Sequence, residues 1–360
     1  MTTSEPTRRF LATFDKLLIA GLGCGLIGLC LLACGFIYTF RNPPGPRPTE
    51  TQLVLQPGVL ATVTPGAATP TLSILTPTQL PILTPTVVED FPLPLPSFGE
   101  GAPSGRIAFT CYVQQIDQIC LMNADGSDRK QLTNFQATAF YPSISPDGTT
   151  IYFVSRHRGT FDIYSMSMNG GDVEQLTEGI GTLYAPELSP NGNRIIFTNH
   201  GNGVWVMRAD GNNPHPLTHR DDIDPTWCPD GSLIAFASNR PGSRQLHIMN
   251  YDGSDIRQIT DLNNMGGRST WSPDCSKLAF YRGPQGDRNI FTVNADGSDI
   301  KRLTSGGDNL GPSWSPDGEW IAFTSFRDGN NEVYIIRPDG TDLTRLTDSP
   351  ISDWQPRWGP

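Results

Sequence analysis

Ser145-Pro146-Asp147-Gly148 recurs down the chain as Ser189-Pro190-Asn191-Gly192, Cys228-Pro229-Asp230-Gly231, Ser272-Pro273-Asp274-Cys275 and Ser315-Pro316-Asp317-Gly318. A sixth copy breaks off at Trp358-Gly359-Pro360, and the prolines stand 44, 39, 44, 43 and 44 residues apart. A period of that length marks a stack of small supersecondary units. Proline presets the first turn residue, Asp or Asn caps locally, and glycine takes the left-handed position that closes a hairpin. Each copy is therefore a tight turn between two strands.

Working outward, a second turn lies in every unit: Asp125-Gly126, Gly170-Gly171, Asp210-Gly211, Asp252-Gly253, Asp296-Gly297 and Asp339-Gly340. Each unit ends on Leu-Thr or Ile-Thr, at Thr133, Thr177, Thr218, Thr260, Thr304 and Thr347. Between the turns lie short β-favouring runs such as Ile151–Ser155, Leu233–Ala237 and Glu332–Ile336, with no ten-residue helical pattern. A unit then reads as four antiparallel strands, A to D. One such sheet cannot hide both faces, whereas several stacked radially can.

The ends of the repeat region set the number. Residues 105–360 open at Gly105-Arg106-Ile107-Ala108-Phe109, a strand B with no A before it, and close at Trp354-Gln355-Pro356-Arg357-Trp358, a strand A with no B after it. The expectation is an all-β, six-bladed β-propeller sealed by its last strand joining its first blade. Ser-Pro-Asp-Gly, Ile-Ala-Phe, Ile-Tyr-x-Met, Asp-Gly and Leu-Thr in this order resemble the repeats of TolB-like propellers, which are related to WD repeats. The resemblance covers residues 105–360. It implies a propeller used for recognition or gating. Related propellers also gate prolyl-oligopeptidase-like and tricorn-like peptidases. The N-terminal α/β domain of TolB has no counterpart here.

Ahead of the repeats the composition changes twice. Residues 1–16 read as a short cytoplasmic tail. Leu17 to Phe40 is 24 residues without a charge, which as a helix rises ~36 Å and crosses a bilayer core of ~30 Å. Arg8, Arg9 and Lys16 precede it, favouring the N-terminus inside. The alternatives are a lipoprotein signal, with Leu31-Leu32-Ala33-Cys34 placing the lipid on Cys34, and an ordinary cleaved signal. Residues 41–104 hold fourteen prolines and ten threonines, the composition of a disordered stalk.

Chemistry is sparse. The chain carries 26 basic and 36 acidic side chains, and the excess of acid falls on the repeats, which disfavours nucleic acid as a partner. No Gly-x-Ser-x-Gly elbow, Walker loop or His-Glu-x-x-His is present, and no cofactor is expected. The Asp-Gly turns lack the ligand run of a calcium loop. His157, His200 and His219 fall in loops of one face and are weak metal candidates. They support a rival reading as a metal-assisted glycan lyase or hydrolase. A sensor with a separate signalling partner is a second rival.

Loops on a rigid scaffold gather function. The D–A and B–C loops share one face, and its candidates for binding a protein or peptide are Tyr141, Tyr184, Asp221, Asp222, Asp224, Asp308 and Asp353, with Arg156, Arg240 and Arg282. Trp227, Trp271, Trp314 and Trp358 recur at one position in four of the six units and read as packing between blades. Cys111 and Cys120 align opposite each other on a B–C hairpin and are expected to form a disulfide. Cys228 and Cys275, in consecutive turns on the same face, are a weaker candidate pair, with free buried thiols as the default reading. The reading is a membrane-anchored, extracytoplasmic, monomeric propeller that binds and does not catalyse.

Overall fold

A computed structural model describes residues 101–360 together with Pro96 and Phe98. The apolar run, Cys34 and most of the proline-rich stretch lie outside the described residues. Twenty-four strands form six four-stranded antiparallel sheets. The first sheet joins β24 (Asp353–Gly359) to β1 (Arg106–Val113), β2 (Ile116–Asn123) and β3 (Lys130–Gln131). The five others each take four consecutive strands. Their inner strands are β4 (Ala139–Ile144), β8 (Leu183–Leu188), β12 (Ile223–Trp227), β16 (Met265–Trp271) and β20 (Asn309–Trp314). Arg106 pairs with Gly359 and Ile107 with Trp358, so the last strand does close the ring.

The repeated texts have separate physical jobs. In the A–B turn the serine hydroxyl donates to the Asp or Asn oxygen and accepts the amide five residues on, as Ser145 does from Thr150 at 2.9 Å and Ser272 from Lys277 at 2.9 Å. These bonds hold the Asp147 and Asp274 carboxyls below the usual range, the serine hydroxyl being the largest cause. The threonine ending each unit pins strand D to strand C. Thr133, Thr177, Thr218, Thr260, Thr304 and Thr347 accept the N–H of Ile119, Ile163, Val204, Leu246, Ile290 and Val333 at 2.8–3.0 Å. Five of them also donate to a buried polar residue at the start of strand C, such as Gln245 at 2.9 Å from Thr260. In the remaining unit that place is Gly203, where a Cβ would stand 2.8 Å from the Thr218 oxygens.

Thr260→Val should therefore cost about 1–3 kcal/mol, because it strands the buried Leu246 amide. Denaturant unfolding at an unchanged m-value checks this.

Trp227, Trp271, Trp314 and Trp358 are 3–8% exposed, and each packs against the neighbouring blade as well as its own. Trp358 meets Ile107 and Phe109 of its own blade and Trp320 and Val333 of the blade beside it. The chain ahead of residue 105 also belongs to this packing, where the sequence suggested linker. Phe98 sets its ring edge-on to Trp320, Gly101 O accepts Trp320 Nε1 at 3.1 Å, and Ser104 O accepts Trp358 Nε1 at 2.7 Å. Indole donors thus claim backbone that composition alone assigned to a free stalk.

Both cysteine pairs are joined. Cys111 and Cys120 are not directly opposite, however. Cys111 faces Gln118 and Cys120 faces Phe109, because the hairpin turns on Gln114-Gln115, so the bridge runs along the diagonal. Cys228 and Cys275 tie the A–B turns of consecutive blades, with Cα atoms 5.6 Å apart.

Candidate functional site

Each inner strand carries a register shift, at a residue that precedes proline in five blades. Tyr141, Ala185, Asp224, Gly311 and Gln355 take left-handed φ values of 50–55° there. Proline on the following residue removes an amide donor that an unpaired inner edge would otherwise leave bare. Around the ring this position holds Tyr141, Ala185, Asp224, Arg268, Gly311 and Gln355. Two residues on come Ser143, Glu187, Thr226, Thr270, Ser313 and Arg357. These twelve positions surround the axis.

The axis is crossed by side chains. Arg268, 6% exposed, reaches from the fifth blade to the second, where its guanidinium lies 5.1 Å from the Tyr141 ring centre and Nη2 donates to Pro142 O at 3.4 Å. Among the described residues its Nε and Nη1 have no hydrogen-bond partner. Burial, and then repulsion from Arg357, pull its pKa down to about 9. One level away, Arg357 pairs with Glu187 at 3.1 Å. Glu187 also accepts the Thr226 hydroxyl at 3.0 Å and the Trp227 amide at 2.7 Å, which saturates it.

Cavities lie on both faces. The A–B turn face holds one of about 290 Å³, lined by the repeated prolines and tryptophans, with Glu187 and Arg357 among its polar lining residues. The loop face holds one of about 500 Å³ between the second, third and fourth blades. Tyr141, Tyr184, His200, Asp221, Asp224 and Arg244 are among its lining residues. The rings of Tyr141 and Tyr184 stand 5.8 Å apart, and His200 meets Tyr184 edge-on. Burial pushes Asp224 and the Tyr141 hydroxyl up, against the pull of Arg268 on both.

The rim candidates separate into two groups. Tyr141, Tyr184, Asp221 and Asp224 come together in the 500 Å³ cavity. The others are engaged elsewhere. Asp222 is paired with Arg240 and Asp308 with Arg288, while Asp353 meets Arg129 at 3.0 Å. Arg156 lies over the Phe161 ring, and Arg282 lies over Phe291 and donates to Asn263 O at 3.2 Å. His157 stacks on Phe135 and His219 is exposed. Among the described residues, the one trio of His, Cys or acidic atoms close enough to share a metal is Cys228, Asp230 and Cys275, whose sulfurs are bonded to each other. The sequence reading passed over Glu187, Arg268 and Arg357. Aligning the residues on either side of each inner-strand proline shows Glu187 and Arg357 at axial positions, and Arg268, in the one blade without that proline, follows only from counting back three residues from Trp271.

Comparison with known proteins agrees with this architecture. Residues 96–204, 178–269 and 258–360 each match the TolB beta propeller domain family. A protein TolB homolog of Chlorobium luteolum is 31% identical over 155 residues, which is 42% of this chain and 36% of that one. An uncharacterized peptidase, YuxL of Bacillus subtilis, is 36% identical over 64 residues, 17% of this chain and 10% of that one. The chain thus spans little more than a third of the length of the curated relatives it matches, or less. The crystal structure of TolB from Acinetobacter baumannii superposes with a TM-score of 0.64 at 25% identity, covering 71% of this chain and 67% of that one. Hydrazine synthase of Kuenenia stuttgartiensis shares the fold alone, with a TM-score of 0.59 at 20% identity over 71% of this chain and 46% of that one. With six blades, the A–B turn text and the closing strand all in place, the chain belongs to the TolB beta-propeller family.

Proposed function

We propose that this chain is a non-catalytic binding module of the cell envelope. Its apolar run Leu17–Phe40 anchors it, N-terminus inside, and its propeller lies on the outer side of the membrane. It receives a protein or peptide at the loop face. The observation that carries the reading is the 500 Å³ cavity walled by two tyrosines and holding two acids and an arginine, on a rigid closed ring. Two features support it. The described chain enters on the opposite face, where Trp320 and Trp358 donate to Gly101 O and Ser104 O, and none of the described residues ahead of 105 lines the loop-face cavity. Two disulfides suit an oxidising compartment.

The test uses the full-length chain, cross-linked in envelope preparations. Tyr184→Ala with Asp221→Lys should abolish recovery of a defined partner, while Asp230→Asn on the turn face leaves it intact. Equal recovery by all three proteins would remove the loop face from consideration.

A further inference from the structure

Docking in general leaves two features of the loop-face cavity unexplained. Asp224 is 9% exposed and lines the cavity, yet its carboxylate accepts no hydrogen bond among the described residues. Arg244 is half-buried in the same cavity and, among the described residues, makes no ion pair. Arg244 lies close enough to act on the Asp224 charge, but the two are not in contact. A buried carboxylate without donors is costly, and Arg244, partly in solvent in the same cavity, is open to a partner of opposite charge. Arg268 adds positive charge next to Asp224, but its contacts are the Tyr141 ring and Pro142 O.

A purely anionic ligand would meet Asp224 and Asp221, and a purely cationic one would leave Arg244 unmatched. A ligand with both charges answers both. We infer that the cavity takes a peptide segment bearing opposite charges, its cationic group against Asp224 and its carboxylate against Arg244. The Tyr141 and Tyr184 rings flank the chain that joins them. About 500 Å³ falls within the range of pockets for small ligands, roughly 300–1,000 Å³. The inference rests on the loop-face reading above and specifies what that face selects.

The experiment titrates the full-length chain with the peptide acetyl-Lys-Gly-Glu-amide, whose only charges are its two side chains. Norleucine in place of Lys, or Gln in place of Glu, should each weaken binding at least tenfold. Asp224→Asn should erase the preference for Lys over norleucine and keep that for Glu over Gln. Arg244→Gln, at a half-exposed position where folding is safe, should do the reverse. A merely structural role for either residue would not produce that crossed pattern. No binding of the parent peptide, or equal binding of its neutral analogues, overturns the inference. If partner recovery still depends on Tyr184 and Asp221, the docking reading survives that result.

Discussion

A chain ending at Ile351 should show no cooperative unfolding transition and should bind hydrophobic dyes, where the full chain melts as a unit. The missing strand β24 supplies the whole inner edge of the first blade. With it goes Trp358, packed between two blades, and such a residue alone is worth about 3–5 kcal/mol. The deletion also exposes Ile107 and Phe109, which are fully buried, and leaves the first blade with an unpaired edge. Native stabilities run to only about 5–15 kcal/mol, so the sum of these losses leaves no folded state. Trp358→Ala is the graded version. It should fold and lose about 3–5 kcal/mol, or roughly 6–20 °C of Tm for a domain of this size. A truncated chain that melts sharply within a few degrees of the full one would show that the ring does not depend on its closure.

The second large effect concerns the bridge between blades. Cys275 stands where the other turns have Gly148, Gly192, Gly231 and Gly318, and it holds a left-handed φ of 58° that glycine adopts freely. Cys228 stands where they have serine, so its turn lacks the hydroxyl that elsewhere accepts the returning amide. Both local preferences are given up, and the return is a covalent tie across 47 residues. Loop-closure entropy assigns such a tie about 4 kcal/mol. Cys228→Ser with Cys275→Gly restores the repeat's own text and should recover about 1–2 kcal/mol through the turn. The net loss is then about 2–3 kcal/mol, a fall in Tm of roughly 4–12 °C. Cys228→Ser with Cys275→Ala should fall further by about 1 kcal/mol, because alanine keeps the strained φ. Calorimetry of the two double variants reads this order. If the alanine form is as stable as the glycine form, the strain at position 275 is not what the bridge offsets.

Much of the architecture was legible because repetition supplies its own alignment. Six turns, six threonines and a half-unit at each end leave one radial solution. A four-stranded sheet must bury both faces, and only its neighbours are there to cover them. The tryptophans were legible as packing between blades for the same reason. The site was less so. Asp222 and Asp224 look alike in sequence, two residues apart, yet Asp222, just ahead of β12, is paired with Arg240, while Asp224, inside β12, faces a cavity without a donor. A bulge in the inner strand makes that difference, and no local propensity announces it.

Sequence by itself determined the number of blades, the seal between the two ends and the face on which loops are free to vary. These follow from short-range turn chemistry repeated at a constant period. Tertiary structure alone decided which charges are spent and which remain open. Arg268 and Arg357 lie 89 residues apart and meet partners on other blades, and only closure of the ring brings such residues to one axis. Contacts across a closed circle depend on every intervening turn at once, and a linear pattern does not carry that information.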